Sequence, residues 1–420
     1  MTVSKRIRTT RHASTRGLLS AVVALTVVLA GCDRLLEIEA PSRVPADFLA
    51  DPANAQLLVT SAIADFECAF SEYIVATGLI GNEFVDGQLA ARMWPYDRRS
   101  VDPSDDVYST FTCADSDPGV YQTLSTARFA ADNALNVVEE PALRATAAAY
   151  AGYDYLLLGE AMCSAAADGG PELSTTELFT LAESRFSTAL SGGASADIAN
   201  MARVGRARTR LNLGDQAGAL SDARAVPEGF RKNARYSAAS FRSSNRIWTM
   251  NNRDERVAVE DDFWQVTHQG QRDPRVPTVD VGRAAGADDS TPLWVQGKYP
   301  DQNSPIPIAR WAEAQLIIAE IEGGQTAVDI INRLHADAGL PPFAGGTPEE
   351  IRAHVLEERS IELWMESHHL NDMLRTGAEF LPVAGTPFQE GSAAKGGFYG
   401  NTTCLPLPRV ERENNPNIGT

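Results

Sequence analysis

Hydrophobic positions along most of this chain return every three to four residues, the interval at which side chains come back to one face of an α-helix. The pattern predicts helices over 47–70, 120–138, 144–167, 175–190, 198–213, 216–225, 309–322, 327–338 and 348–375. Local punctuation agrees. Ser174 with Glu177 three residues on has the spacing of a capping box, and Thr347, Pro348 and Glu350 repeat the arrangement. Gly339, Pro341 and Pro342 end the preceding helix. Between 230 and 307 the periodicity fades, and Pro, Gly, Asp and aromatic residues intersperse. Irregular stretches of that length tend to carry function. The expected class is mostly α, a helical scaffold bearing long loops.

The start of the chain has a different pattern. Lys5, Arg6, Arg8, Arg11 and Arg16 stand without an acid, and Leu18 to Ala30 then form an apolar run. That run is shorter than the roughly 20 residues a spanning helix needs, so 1–31 reads as a signal peptide. Leu29-Ala30-Gly31-Cys32 resembles the lipobox of bacterial lipoproteins. The resemblance implies cleavage before Cys32, acylation of its thiol and amine, and a stable lipid anchor. Asp33 resembles an inner-membrane retention signal of some bacteria, which leaves the membrane face open.

Residues 32–420 then read as one domain. Loss of the leader's five basic residues takes the formal charge from −18 to −23. A surface this acidic repels phosphate backbones, so nucleic acid is excluded as a partner. Cys68, Cys113, Cys163 and Cys404 remain in an oxidising compartment, enough for two disulfides in any of three pairings, Cys68 with Cys113 closing a short loop.

The turn Leu213-Gly214-Asp215, with Ala219, Leu220, Ala223 and Pro227 after it, resembles one tetratricopeptide unit. A wider resemblance follows. Pro305-Ile306-Pro307-Ile308-Ala309-Arg310-Trp311-Ala312-Glu313 is similar to the "PIPLLRYAE" segment of SusD/RagB outer-membrane lipoproteins. Ile331 to Pro341 is similar to the family's "INxVRxRAGLP", Glu357 to Glu366 to its "EERRIELAFEG", and Leu405 to Asn417 to its "YPIPxxExxxNPN". Asp273-Pro274-Arg275 and Lys298-Tyr299 also match family elements, and Leu36 to Phe48 resembles the stretch after the lipobox. Ser367-His368-His369-Leu370-Asn371-Asp372 departs from the usual "GHRWFDLxR". The resemblance implies four tetratricopeptide-like hairpins with a C-terminal signature region over 300–420. It also implies capture of oligosaccharides or peptides at the cell surface, without catalysis or a cofactor, and delivery to a SusC-like, TonB-dependent outer-membrane transporter.

Sugar binding calls for flat aromatic faces beside hydrogen-bonding groups. Trp94, Tyr96, Trp248, Trp264, Trp294 and Tyr299 are the candidates, all in predicted loops; Trp311 and Trp364 sit on periodic helices and read as core. Glu358, Glu362, Glu366, His369 and Asp372 share a helical face that offers oxygens and an imidazole to a metal. The competing reading is a buried network with Arg310, Arg359 or Arg375. No HExxH, GxSxG, GxGxxG or phosphate-loop pattern occurs. The alternative from another class is a helical-repeat scaffold for envelope protein assembly, whose Trp248 to Tyr299 region would pack into the body.

Overall fold

Helix α1 (Ala55–Ile80) begins a succession in which each helix packs on the next: α2 (Tyr121–Val137), α3 (Pro141–Ala161), α4 (Thr175–Leu190), α5 (Ala196–Leu213), α6 (Gln216–Arg224), α7 (Trp311–Glu322), α8 (Gly324–Ala338) and α9 (Pro348–Glu362). The computed structural model describes residues 46–286, 288–389 and 395–419, so the leader and Cys32 lie outside the described residues. Leu49–Thr420 form one compact unit. The helices pair as hairpins, α1 with α2, α3 with α4, α5 with α6 and α7 with α8, which is the tetratricopeptide-like architecture expected. No helix among the described residues is long and apolar enough to cross a membrane.

Packing explains where the helices lie. α3 is buried on all sides from Ala147 to Ala161, and its small residues admit large neighbours. A Cβ on Gly152 or on Gly205 of α5 would stand 2.6 Å and 2.4 Å from the Phe186 ring, so both glycines make room for that ring between α3 and α5. Tyr153 meets Phe186 edge to face at 5.1 Å. Gly214, at φ +78°, supplies the left-handed residue that ends α5 before Asp215 caps α6. Both predicted capping boxes form, Ser174 with Glu177 and Thr347 with Glu350.

Four helix boundaries differ from the pattern. The stretch expected to start at 47 is split into a short helix, Ala46–Ala50, and a turn, Pro52–Asn54, ahead of α1. α1 runs to Ile80 rather than residue 70 because everything from Cys68 onward is buried, and a helix wrapped all round carries no amphipathic signal. The segment after α3 leaves the helix: Ser164–Ala166 pair with Glu172–Ser174 as a small hairpin. The predicted helix 348–375 is two, α9 and α10 (His369–Thr376), with Met365 and Ser367 at positive φ between them. The break is held from outside. Lys298 Nζ donates to Trp364 O (2.6 Å), Tyr299 Oη to Met365 O (3.1 Å) and Arg208 to Ser367 O (2.6 Å), while Glu83 accepts the Met365 N–H at 2.7 Å. Freed backbone groups are thereby satisfied inside the protein.

The irregular part is organised by strand pairs. Its strands are β1 (Phe84–Asp86), β2 (Arg231–Ala234), β3 (Val257–Val259), β4 (Thr278–Ala284), β5 (Pro292–Gln296) and β6 (Ile306–Arg310). β1 pairs with β3, β2 with β6 and β4 with β5, all antiparallel. The cysteines pair as Cys68–Cys113 and Cys163–Cys404, the second joining the end of α3 to the C-terminal segment across 241 positions.

Candidate ligand-binding site

After α1 the chain folds residues 82–100 back on themselves. The Asp86 N–H donates to the Asp97 carboxylate at 2.7 Å, pinning the two ends of a loop whose short helical turn, Trp94–Asp97, lies between. Trp94 is half-buried, and its indole N–H donates to Gln88 O at 3.0 Å, which fixes the ring. Phe388 lies 6.4 Å away, and the Arg98 guanidinium stands 5.8 Å from Phe388. Leu89, next to Gln88 in the chain, and Phe398, bridged to Pro387, are 49% and 63% exposed.

Beside this surface lies a buried ammonium. Lys395 Nζ is 2.7 Å from an Asp288 oxygen, 3.5 Å from Asp86 Oδ1 and 2.6 Å from Gln389 Oε1; Gln389 in turn donates to Asp97 at 2.8 Å. A single ammonium thus ties the loops at 82–100, 288–291 and 380–389 together. It does not neutralise them all. Burial pushes Asp86 up to about 8 and Asp97 up to about 6; burial and the charges of Asp97, Asp261 and Asp262 bring Glu260 to about 8.

The expected aromatic group divides. Trp264 and Trp294 stack at 4.9 Å with planes 9° apart, Trp294 buried on β5 and Trp264 half-buried outside it, its N–H donating to Val259 O. Trp248 is half-buried on the turn Arg246–Trp248. Tyr96 and Tyr299 are interior, each 2% exposed, and their hydroxyls brace Pro118 O and Met365 O rather than facing solvent. Of the six candidate rings, Tyr96, Trp294 and Tyr299 are therefore corrected: they are buried and offer no open face. Among the described residues only Trp264 and Trp294 of the six touch each other as rings.

Trp364 is fully buried, as its helical position suggested, but Trp311 is not core. One side of it packs on Leu316, Leu334 and Leu363. The ring borders two cavities of about 290 and 380 Å³. Arg231, Arg275, Asp337 and Glu362 line the first; Gln315, Asp329 and Arg333 line the second, with the Arg333 guanidinium 5.9 Å from the ring. Its place as the first residue of α7 was the available signal, because the first turn of a helix need not follow the core-facing stripe.

The carboxylate face of α9 and α10 takes the network form. Arg275 pairs with Glu358 and, at 2.9 Å, with Glu362; Arg310 reaches Glu362 at 2.5 Å and Glu366 at 2.7 Å; Lys298 reaches Glu366 at 2.7 Å. Arg359 and Arg375 both hold Asp372 at 2.8 Å. Burial alone would raise Glu362, but the Arg310 and Arg275 charges outweigh it and hold it near 2. Each of these acids thus has at least one basic partner. Three histidines elsewhere, His268, His335 and His354, do converge.

Residues 226–418 match the model of the SusD family. No curated protein sequence matches the chain. Solved structures do. A SusD-like protein from Bacteroides fragilis is 13% identical with a TM-score of 0.64, covering 90% of this chain and 98% of its own. A SusD-like carbohydrate-binding protein from Bacteroides vulgatus is 15% identical with a TM-score of 0.62, covering 88% and 97%. A laminarin-binding SusD-like protein is 14% identical with a TM-score of 0.57, covering 88% and 98%.

Proposed function

The chain belongs to the SusD/RagB family, and on that premise we propose that it captures glycans at the cell surface without altering them. In this reading Cys32 carries the lipid anchor in the outer membrane, residues 32–420 form the binding domain, and the solute passes to a SusC-like, TonB-dependent transporter. The observation that carries the proposal is the fold held in common, along 88% of this chain, with carbohydrate-binding and laminarin-binding relatives. Oligosaccharide is preferred over peptide for the same reason.

Trp94 is the proposed primary contact, with Trp264 and Trp248 as outlying ones. An indole held by its N–H to Gln88 O is oriented before ligand arrives, so little ordering cost remains on binding. Its face suits the C–H face of a pyranose, while Arg92 and Arg98 offer donors to hydroxyls. A second reading places the sugar against Trp311, because the two cavities there supply real concavity. Calorimetry with laminarin, soluble starch and a peptide mixture separates them. Trp94→Ala is expected to weaken glycan binding about tenfold, the size of one lost aromatic contact, with the melting temperature nearly unchanged. Full affinity in Trp94→Ala together with loss in Trp311→Ala moves the site to the cavities. Absence of binding to every glycan probe, in a protein that still melts cooperatively, sinks the proposal.

A further inference from the structure

His268, His335 and His354 come from three separate segments: the end of the short strand Thr267–His268 in its hairpin with Gln271–Arg272, the last turn of α8, and α9. One ring nitrogen from each lies within 4.8 Å of the others, and the ring centroids are 4.3, 5.7 and 6.0 Å apart. The surroundings are built rather than incidental. Gln269 donates to Pro342 O at 2.9 Å and Gln271 to Gly339 O at 2.7 Å, which fastens the His268 turn onto the segment joining α8 to α9. Phe343 stacks on His354 at 4.0 Å and fixes the plane of its imidazole.

The second nitrogens make the arrangement informative. His354 Nδ1 is 3.0 Å from Glu357 Oε2, and His335 Nδ1 is 2.9 Å from Pro341 O. A carboxylate or carbonyl on one ring nitrogen is the usual partner of a metal-ligating histidine, because it fixes the tautomer that leaves the other nitrogen's lone pair free. His354 Nε2 is that free nitrogen: it is shielded from water and has no hydrogen-bond partner among the described residues. A buried acceptor without a partner is costly unless something fills the place.

We propose that His268, His335 and His354 form a binding site for a divalent late-transition-metal ion, zinc foremost, that clamps the His268 turn to α8 and α9. Imidazole donors select zinc, nickel or copper over calcium and magnesium. Zinc takes nitrogens at about 2.0–2.1 Å, so tetrahedral ligands stand about 3.4 Å apart. Torsional movement on the order of 1 Å closes the present spacing, and His268 and His354, both half-buried, are free to make it. The bound ion displaces Glu358 from His335 Nε2, now 3.0 Å away, or takes that carboxylate as a further ligand. Three histidines leave a fourth position for it or for water.

The test uses the full-length lipoprotein in detergent, without an affinity tag and stripped by a chelator, titrated with zinc chloride by calorimetry, and with calcium chloride as control. One equivalent of zinc is expected to bind and raise the melting temperature by several degrees at saturation, while calcium does neither. His268→Ala and His354→Gln, neither at a fully buried position, are each expected to weaken zinc binding about tenfold to a hundredfold. Both should melt like the unmodified protein without metal. No saturable uptake at about 100 µM zinc, or unmodified affinity in either variant, overturns the proposal. Glycan calorimetry on the same variants keeps this outcome distinct from that of the glycan-binding proposal.

Discussion

Two of the groups of buried carboxylates among the described residues are treated differently. On α9 and α10, Glu362, Glu366 and Asp372 are each met by two basic groups, and their pKa values are held below the ordinary carboxylate range. Under Trp94, Lys395 serves Asp86, Asp288 and, through Gln389, Asp97, to which Arg99 adds its charge; burial there still wins for Asp86 and Asp97. Asp86 Oδ2 has no hydrogen-bond partner among the described residues. The segment from Glu362 to Asp372 spends its cations on full compensation. The loop face is left with acids poised to take up a proton, a softer construction.

The largest effect expected from this contrast is that of Arg310→Met. It takes one of two cations from each of Glu362 and Glu366, leaving Arg275 and Lys298 as their remaining partners, and breaking buried pairs in this way costs about 3–5 kcal/mol; urea unfolding reads the loss, and a change below about 1 kcal/mol would break the comparison. Lys395→Met should cost less, about 2 kcal/mol, because Asp86 is already disposed to bind a proton in place of the cation. Hydrogen exchange should show that loss within 82–100 and 288–291 and not in α3. A global loss equal to that of Arg310→Met would contradict the difference.

The pH dependence separates the regions by sign. Burial raises Glu83 to about 7 and Asp86 to about 8, whereas the unfolded chain ionises them near 4. Folded protein therefore holds more protons between those values, so their contribution is complete below about pH 4 and is lost as pH rises toward 7 or 8. Glu362 runs the other way: its contribution is complete above about pH 4.5 and disappears as pH falls toward 2. Exchange protection of 82–100 should fall between pH 5.5 and 8 while that of α9 stays level once intrinsic exchange rates are corrected. The smallest effect belongs to Asp86→Asn, within about 1 kcal/mol of neutral at pH 8, which should flatten the loop's pH profile. An unchanged profile would remove Asp86 as its cause.

How much of this was readable beforehand depended on the range of the interaction involved. The capping boxes at Ser174 and Thr347 involve partners three residues apart, and both form as expected. The interruption of 348–375 was invisible because it is held by Lys298, Tyr299, Glu83 and Arg208, residues scattered over the chain. Tyr299 passed for a ligand residue because a tyrosine in an irregular stretch looks alike whether its hydroxyl meets a sugar or a carbonyl. Trp311 was assigned to the core because periodicity reports one face of a helix and says nothing of cavities beside it.

Local rules written into the sequence determined the helices, their caps, the acidic surface and the family motifs that order the C-terminal third. Spacing and propensity act over a few residues and need no partner. Tertiary structure alone decided which cysteines join, which rings face outward, which acids meet an arginine and which histidines gather. Each depends on contacts between residues as far apart as Asp86 and Lys395, and on the burial that only a closed fold creates.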